Sequence, residues 1–551
     1  MVNFQYALIF SSFVIAHASQ SKIQWGPCDP KEVGNSTEPI QCGTLPVPLD
    51  YSDPKSDKKL QLRLAKISAT SQPSRGSILF NFGGPGQLAR KDLASTASLL
   101  LPLTGGQYDL VTFDTRGTGN TLPFICPNEG GNNGHSIAAQ IKLGNSSDVA
   151  VGDIWARSQL LAKTCFENQN EEGSLISTAF VARDLISVVD AIEYDKMLRY
   201  WGLSYGTTLG ATVAAMFPDR IDKLILDGVQ NPHEYYQAFA DFEEWTDSDK
   251  VFSGIFSSCL EAPDNCPLAH RNATAAELEK AVLDFLDTIK YRPIVFGNTI
   301  LDYTIVKGAL SSSLYGPPSW PMLTQMIDML LPGGTPNSPP PSLGQNDPAE
   351  LDASLDTVLS LLGIHCLDRV PRNSSFDDMI PVVERLYEIS RIMGDATVFT
   401  SMACAQWKIE PKERYEGDFN IKPKNPVLVL GNTYDGHTPL VSAKNISSTI
   451  EDSVVLELNI YGHSSISQPS SCTLEKVSAY WKDGTLPEPG TVCPAEGNPY
   501  ADITWFDVFE KAGAGNSKPK TERARRHTLD DLSSFGEILK KRSWVERLMM
   551  K

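Results

Sequence analysis

Short apolar runs rich in β-branched residues alternate with amphipathic stretches between about residues 60 and 230. Apolar runs of this length are typical of buried strands, and stretches with helical spacing between them are typical of βαβ units. The alternation predicts an α/β fold with a mostly parallel central sheet. The predicted elements are strands at 60–68, 76–82, 108–114, 197–203 and 222–228, and a helix at 177–193 with Ser177 or Thr178 as its N-cap.

The strand pattern stops after Pro232 and gives way to helical patterns, which a Pro/Gly-rich stretch interrupts at 330–348. Two further apolar runs, at 425–435 and 453–463, predict that the same sheet resumes. Ligands of open α/β sheets bind at the carboxyl ends of the strands, so we expect the intervening helices to form a lid over those ends. The predicted organisation is a signal peptide at 1–18, a core at 19–231 and 421–510, a helical lid insertion at 232–420 and a basic tail at 511–551.

The first residues have the pattern of a secretory signal. An apolar stretch from Phe4 to Ala16 is too short to span a bilayer comfortably, and small residues at Ala16 and Ala18 form a cleavage pattern. The stretch lacks Lys and Arg, so a buried N-terminal element is the alternative. We predict cleavage near Ala18 and a secreted, extracellular protein.

Cysteine usage also points to an oxidising compartment, because the chain has ten cysteines, an even number. They fall in pairs that are close in sequence, which suggests disulfides between Cys28 and Cys42, Cys126 and Cys165, Cys259 and Cys266, Cys366 and Cys404, and Cys472 and Cys493. Five Asn-x-Ser/Thr triplets are expected on exposed loops if they are glycosylated, at Asn35, Asn145, Asn272, Asn373 and Asn445.

Charge and composition exclude several kinds of partner. The formal net charge of −18 disfavours nucleic acid, which needs a concentrated basic face. The cysteines form no CxxC motif and the histidines do not cluster with them, so we expect no metal site, and no organic cofactor is implied. After the N-terminal stretch, no segment is long and apolar enough to predict a transmembrane helix.

The basic tail is a separate compositional unit, with eleven Lys/Arg against five Asp/Glu in residues 511–551. Its apolar positions from 528 to 550 lie near helical spacing after a start typical of a capping box, Thr528 and Asp531. Three interpretations stay open: docking on the acidic protein body or disorder, a helix on a membrane surface, and a propeptide released at a basic site.

Ser204 lies between Gly202 and Gly206, after a predicted strand and before a predicted helix. This context is typical of a nucleophile elbow, a turn so tight that bulk at either glycine would strike the neighbouring strand or helix. The alternative is a chance Gly-x-Ser-x-Gly loop. We predict that Ser204 is a nucleophile.

A serine hydroxyl needs a base, and the base needs a partner that fixes its tautomer. Asp435 follows the apolar run that ends at 430, and His463 follows the next predicted strand. This order of serine, acid and histidine is the one that folds with a nucleophile elbow use, and strand-end loops at the same edge of the sheet would bring the three residues together. The alternatives are Asp227 as the acid and His437 as the base.

Two other polar residues are expected to be structural. His365, in the predicted lid beside Cys366, is interpreted as a structural histidine. Asp114 is expected to pair locally with Arg116 and so to hold the loop after its strand.

Acyl transfer also needs two backbone N–H donors for the developing oxyanion. Tyr205, the residue after the nucleophile, would supply one. The stretch at 81–86 would supply the other, because Gly83 and Gly84 follow a predicted strand and let the backbone approach a substrate. A simple Gly-Pro turn is the alternative.

With these motifs in order, the chain resembles the secreted α/β-hydrolase peptidases of the prolyl aminopeptidase and tripeptidyl aminopeptidase family, especially the branch with a TAP-like C-terminal segment. The matching stretches are GGPG (83–86), DLVTFDTRGTGNT (109–121), TAFVARDL (178–185), WGLSYGTTLG (201–210), LDGV (226–229), IHCLD (364–368), CAQW (404–407), GNTYDGHTP (431–439) and YGHSS (461–465). They extend over most of residues 25–500.

The resemblance implies an α/β-hydrolase fold, with Ser204 as nucleophile, Asp435 as acid and His463 as base. It also implies removal of short peptide units from N-termini, which requires a group that binds an ammonium. Glu243 and Glu244, at the start of the predicted lid, are the candidates. The chain departs from prolyl aminopeptidases at Phe82, where those proteins have a histidine before the glycines.

Two other function classes stay open at this stage. A carboxylesterase or lactonase could use the same three residues on a small metabolite ester, in an apolar pocket without an anionic group. A binding protein without catalysis is the third hypothesis, and the ordered serine, acid and histidine argue against it.

Overall fold

The computed structural model of the chain describes residues 23–36, 38–127, 133–296, 299–334 and 348–514. Its strands are β1 (Gly26–Pro27), β2 (Ile40–Pro48), β3 (Lys59–Ile67), β4 (Ser77–Asn81), β5 (Asp109–Asp114), β6 (Leu198–Leu203), β7 (Ile221–Asp227), β8 (Ile294–Phe296), β9 (Thr299–Leu301), β10 (Leu428–Tyr434), β11 (Val454–Tyr461) and β12 (Val492–Pro494). Its helices are α1 (Pro30–Val33), α2 (Ala89–Leu103), α3 (Asn133–Ala138), α4 (Ala150–Gly173), α5 (Thr178–Ile192), α6 (Tyr205–Met216), α7 (Pro232–Gln237), α8 (Ser248–Glu261), α9 (Ala275–Tyr291), α10 (Tyr303–Ser313), α11 (Trp320–Leu330), α12 (Pro348–Asp368), α13 (Phe376–Ile389), α14 (Val398–Ala405), α15 (Leu440–Ser447), α16 (Ser471–Asp483) and α17 (Trp505–Ala512).

One large sheet organises the described residues, with the strand order β1-β2-β3-β5-β4-β6-β7-β10-β11-β12. The strands from β5 to β12 in this order are parallel, whereas β1, β2 and β3 pair antiparallel, β3 with β5. Every residue of β4 and β6 is buried, as in parallel sheets with both faces covered. Parallel order places the carboxyl ends of β4, β6, β7, β10 and β11 at one edge of the sheet.

The predicted α/β architecture is confirmed. Each strand predicted from an apolar run is present, and the helix predicted at 177–193 is α5, whose N-cap is Ser177. The sequence pattern missed β2, which pairs with β3 along its whole length. This strand contains a glycine and two prolines, residues that are depleted in strands and disguise its alternation.

A helical layer lies between β7 and β10 in sequence. In the described part of this segment, α7 to α14 and the small hairpin β8–β9 contribute nothing to the large sheet. Helices α3 and α4, which precede the elbow, pack with this layer: the Gln406 side chain donates to the Trp155 carbonyl at 3.2 Å, and the Trp155 and Phe376 rings lie 5.9 Å apart. The lid therefore contains helices from segments before and after Ser204 in sequence, which the sequence pattern did not indicate.

The five predicted disulfides are confirmed, and all ten cysteines are paired as expected from their spacing. Among the residues that the structure describes, no helix has the length and apolar character needed to cross a membrane. The same residues contain no group of histidine, cysteine and acidic side chains arranged to hold a metal ion.

The glycosylation sites need one correction, since Asn445 lies in helix α15 and not in a loop. Its side chain donates to Glu243 Oε2 at 2.5 Å. Glycosylation itself stays a prediction. The signal peptide prediction and the helix predicted in the basic tail lie outside the described residues.

Candidate active site

Ser204 occupies the turn between β6 and α6, at the carboxyl edge of the sheet. Its φ is 58° and its ψ is −128°, a conformation that non-glycine residues rarely adopt. The Ser204 N–H donates to the Asp227 carbonyl at 3.1 Å, and the Ser204 carbonyl accepts from the N–H and hydroxyl of Thr207 at 2.7 and 2.6 Å. A serine held in a strained turn between strand and helix has the geometry of a nucleophile elbow.

The two flanking glycines leave no room for a side chain. A Cβ atom on Gly202 would lie 2.1 Å from the Gly206 carbonyl oxygen, and one on Gly206 would lie 2.3 Å from the Asn81 carbonyl oxygen. Both distances are well inside van der Waals contact, and both neighbours are backbone atoms that cannot rotate away. The elbow therefore requires glycine at these positions for the reason that the motif predicted.

Asp435 follows β10 and His463 follows β11, and the structure brings their fully buried side chains together. His463 Nδ1 lies 3.1 Å from each carboxylate oxygen of Asp435. The carboxylate also accepts from the N–H groups of His437 and Thr438 at 2.9 Å each. Burial alone would raise the pKa of Asp435, but His463 and these donors hold it below its ordinary value.

An ionised carboxylate can only accept, so the proton of the neutral His463 ring lies on Nδ1 and a lone pair lies on Nε2. Nε2 is buried and has no hydrogen-bond partner in the described part of the chain. The Ser204 hydroxyl is therefore not bonded to it here, and such catalytic hydrogen bonds often form only when substrate is bound. The arrangement provides a base in the required tautomer at the edge where Ser204 lies.

Asp227, the alternative acid, contacts a different part of the histidine loop. Its carboxylate accepts from the Ser465 N–H at 2.7 Å, from the Ser465 hydroxyl at 2.6 Å and from Trp201 Nε1 at 3.1 Å. Burial raises the pKa of Asp227 to about 6. Asp227 therefore joins β7 to the loop that carries His463, while Asp435 contacts the ring.

Two further histidines singled out in the sequence, His437 and His365, pack against tyrosines. His437 stacks on Tyr315, with ring centroids 3.7 Å apart, and its backbone N–H donates to the Asp435 carboxylate. His365 stacks on Tyr235 at 4.3 Å, and burial together with the Arg369 charge lowers the pKa of His365 to about 3. A neutral, stacked ring agrees with the structural interpretation of His365.

The expected ion pair between Asp114 and Arg116 is wrong. Arg90 Nε of α2 donates to Asp114 at 2.7 Å, whereas Arg116 Nε donates to Asp184 of α5 at 2.6 Å. Two different helices pack near the end of β5, and each supplies the partner for one of the two side chains.

The loop after β4 lies against the nucleophile. A Cβ atom on Gly83 would lie 2.7 Å from Ser204 Cβ and 3.1 Å from the Tyr205 nitrogen, so only glycine permits this approach. The Gly83 N–H already donates to Asn81 Oδ1 at 3.0 Å, whereas Gly84 lines the cavity beside Ser204. Of the two loop glycines predicted from the sequence, Gly84 is therefore the better placed to donate, together with Tyr205, to an oxyanion.

A chamber between the sheet edge and the lid contains Ser204, with Gly84 and Gln230 on the core side. Helix α12 lies on the lid side and packs directly on the loop after β4, because a Cβ atom on Gly86 would lie 2.9 Å from both the Thr357 carbonyl oxygen and the Leu361 nitrogen. One face of α12 lines the chamber through Ser354, Thr357, Val358, Leu361 and His365.

Helix α12 is fastened at its carboxyl end. Asp368 accepts from the Thr178 N–H at 3.0 Å and from the Tyr235 hydroxyl at 3.1 Å, so the helix end is bonded to α5 of the core. The disulfide between Cys366 and Cys404 joins α12 to α14, which also lines the chamber. This wall of the chamber is therefore held by both covalent and polar contacts.

One end of the chamber is acidic, since Asp241 and Glu244 both line it. Both carboxylate oxygens of Asp241 lie 2.7 Å from Arg369 Nη2, so the guanidinium compensates the charge of this carboxylate. Glu244 accepts only a long hydrogen bond from Gln230 Nε2, at 3.4 Å, among the described residues. Burial, and then the charge of Asp241, raise the pKa of Glu244 well above its ordinary value, against the effect of Arg369. Glu244 would gain a countercharge from a cation in the chamber.

Glu243 points away from the chamber. Its carboxylate accepts from the side chains of Asn231 at 3.1 Å, Ser442 at 2.7 Å and Asn445 at 2.5 Å. Of the two neighbours singled out in the sequence, the structure places only Glu244 beside the chamber. Asp241 was missed, although it stands in the same acidic stretch.

Thr438 is a further hydrogen-bond partner of His463, and the sequence pattern did not indicate it. Its hydroxyl lies 2.9 Å from His463 Nδ1 and 2.9 Å from Asp435 Oδ2. The hydroxyl therefore donates to the carboxylate and its oxygen accepts from the ring N–H, which Asp435 also accepts. We expect Thr438→Val to lower kcat about tenfold at unchanged KM, because one hydrogen bond that orients the ring is lost. Steady-state kinetics measure this, and Thr438→Ser should keep the wild-type kcat. Equal losses in both variants would contradict this role for the hydroxyl.

Comparisons with known proteins agree with the resemblance. A family model described as "alpha/beta hydrolase fold" matches residues 76–263, and one described as "TAP-like protein" matches residues 390–493. A tripeptidyl aminopeptidase of Streptomyces lividans is 26% identical over 515 residues, covering 89% of this chain and 90% of that protein. The serine protease Hip1 of Mycobacterium tuberculosis is 27% identical over 510 residues, covering 86% of this chain and 91% of that protein.

Proposed function

We propose that this chain, a serine hydrolase of the α/β-hydrolase fold, is an aminopeptidase that releases short units from the N-termini of peptides. The observation that carries the proposal is the partly buried carboxyl of Glu244 in the chamber that contains Ser204. A free peptide N-terminus is an ammonium, and a carboxylate forms charge-assisted hydrogen bonds with it. The names of the relatives, a tripeptidyl aminopeptidase and a serine protease, support a peptide substrate.

The geometry of α12 favours a unit longer than one residue. The loop that carries Gly86 contacts α12 between Thr357 and Leu361, whereas His365 lies 3.5 Å from Asp241 at the acidic end. At a rise of about 1.5 Å per residue, these two positions along α12 are about 6–12 Å apart, the span of about two to four extended peptide residues.

The proposed reaction proceeds through an acyl-enzyme. Ser204 Oγ attacks the scissile carbonyl while His463 Nε2 takes its proton, and Asp435 stabilises the imidazolium. The N–H groups of Gly84 and Tyr205 bind the oxyanion. His463 then gives the proton to the leaving amine, and water repeats the sequence to free the acyl group.

We expect Glu244→Gln to raise KM about 100-fold for substrates with a free N-terminus, because the amide cannot neutralise the ammonium in a partly buried site. The same variant should leave KM unchanged for N-blocked analogues and for esters that the enzyme hydrolyses. The measurement is steady-state kinetics on tripeptidyl and single aminoacyl amides, their N-blocked counterparts and short-chain esters.

The matched control is Glu243→Gln, which changes the adjacent carboxylate outside the chamber and should keep the wild-type KM. Because the pKa of Glu244 is raised, its carboxyl is neutral at low pH. The ratio of kcat/KM for free N-terminal substrates to kcat/KM for N-blocked analogues or esters should therefore rise as pH increases through that pKa, since the base His463 serves both kinds of substrate. Glu244→Gln should lack this rise. Turnover of esters and N-blocked amides alone would move the assignment to the esterase or lactonase alternative.

We also propose that the protein acts outside the cell. The five disulfides support this location, because such bonds persist mainly in oxidising compartments. The pattern at residues 1–18 supports it independently.

A further inference from the structure

The chamber wall contains a hydroxyl that lacks a partner. Ser354 is 1% exposed and lines the chamber, and its Oγ atom forms no hydrogen bond within the described residues. Buried polar groups in native proteins are nearly always hydrogen-bonded, so an exception in a ligand chamber indicates a bonding partner on the ligand. Trp245 Nε1 and Thr397 Oγ1 are further lining atoms in this state, but of these three residues only Ser354 lies on the helix that runs along the chamber.

Helix α12 gives Ser354 a defined position relative to the reacting bond. The helix contacts the loop of Gly86 between Thr357 and Leu361, and His365 at the acidic end follows this contact in sequence. Ser354 lies about 5–10 Å along the helix axis before this contact with the loop of Gly86. Ser354 and the acidic end therefore lie on opposite sides of the level at which the substrate would react.

We propose that Ser354 forms a subsite for the leaving part of the substrate, the peptide on the carboxyl side of the scissile bond. The direction rests on the proposed function, because the N-terminal unit would extend from Ser204 toward Glu244. The hydroxyl of Ser354 then bonds a main-chain amide group of the leaving peptide. A main-chain contact would help to hold peptides of varied sequence, because it does not depend on their side chains.

A subsite for a leaving amine also binds an incoming amine when the reaction runs in reverse. The incoming amine attacks the acyl-enzyme carbonyl, an amide bond forms and the ester bond to Ser204 Oγ breaks. The proton of the amine passes to His463 Nε2 and from there to Ser204 Oγ. The acyl group is thereby divided between water and the added peptide, and the ratio of the two products reports occupancy of the subsite.

The experiment measures this ratio with whichever amide or ester substrate the wild-type enzyme turns over, in the presence of glycylglycine amide as acceptor. We expect Ser354→Ala to lower the transfer to the peptide about fivefold relative to hydrolysis, the effect of one lost hydrogen bond. The matched control is Ser312→Ala, which removes another buried, unpartnered hydroxyl that lines a neighbouring cavity and not this chamber. It should keep the wild-type ratio.

An unchanged ratio in Ser354→Ala, an equal fall in the Ser312→Ala control, or absence of transfer in the wild type would each overturn the proposal. Thermal unfolding of both variants shows whether a changed ratio comes from altered folding. Which substrates the enzyme hydrolyses tests the aminopeptidase assignment, whereas the ratio of transfer to hydrolysis tests the role of Ser354. Failure of the proposed function is therefore distinguishable from failure of the proposed subsite.

Discussion

Replacing Ser204 by alanine is expected to lower kcat by about 10⁶-fold, the scale found when the nucleophile of a serine hydrolase is removed. The turn should survive, because the hydrogen bonds that hold it use the N–H and carbonyl of Ser204 and the variant keeps both. Hydrolysis of the best substrate over long incubations measures the loss, and thermal unfolding checks the fold.

Labelling with a fluorophosphonate gives a second readout that does not depend on the substrate. The reagent should modify the wild type at Ser204 and leave Ser204→Ala unmodified. Ser312→Ala, which changes a serine outside the chamber, should be labelled like the wild type. Activity or labelling of Ser204→Ala near the wild-type level would exclude Ser204 as the nucleophile.

Asp435→Asn is expected to lower kcat by about 10⁴-fold. The asparagine side chain fits the same space, but it can turn its NH₂ group toward His463 Nδ1 and so favour the tautomer with the proton on Nε2. That ring cannot accept the proton of Ser204. Because Asp435 also accepts from backbone N–H groups of its own loop, the variant must be compared with the wild type by thermal unfolding as well as by kcat.

Asp227→Asn is the informative companion variant. It alters the other buried carboxylate near the histidine loop, which bonds Ser465 and not the ring of His463. If Asp435 orients the base, its variant should lose far more activity than the Asp227 variant. Equal losses would show that both carboxylates act mainly by holding the loop.

The parts of the site that follow from strand order could be predicted from the sequence. Ser204, Asp435 and His463 each follow an apolar run, and the ends of parallel strands meet at one edge, so their proximity follows from topology. Gly202 and Gly206 could be interpreted in the same way, because the steric demand of the elbow is local. The positions of these five residues could therefore be predicted from the local hydrophobic pattern and the local geometry of the turn.

Contacts between distant segments could not be predicted in this way. Asp114 binds Arg90 instead of its neighbour Arg116, because the choice depends on which helix packs near the end of β5. The pairing of Asp241 with Arg369 and the packing of α4 on the lid join segments that are far apart in sequence. Polar residues in helices show no pattern that separates a chamber wall from a solvated surface.

Under the proposed function, the fastening of α12 affects which molecules can reach Ser204. The Cys366–Cys404 disulfide and the hydrogen bonds of Asp368 fix helix α12 over the chamber that contains Ser204, so we expect substrates to enter end first. An unfolded chain terminus can enter in this way, whereas a folded domain or an internal loop would require α12 to move. If the protein is the proposed aminopeptidase, we therefore expect it to cleave unfolded peptide ends in preference to folded proteins.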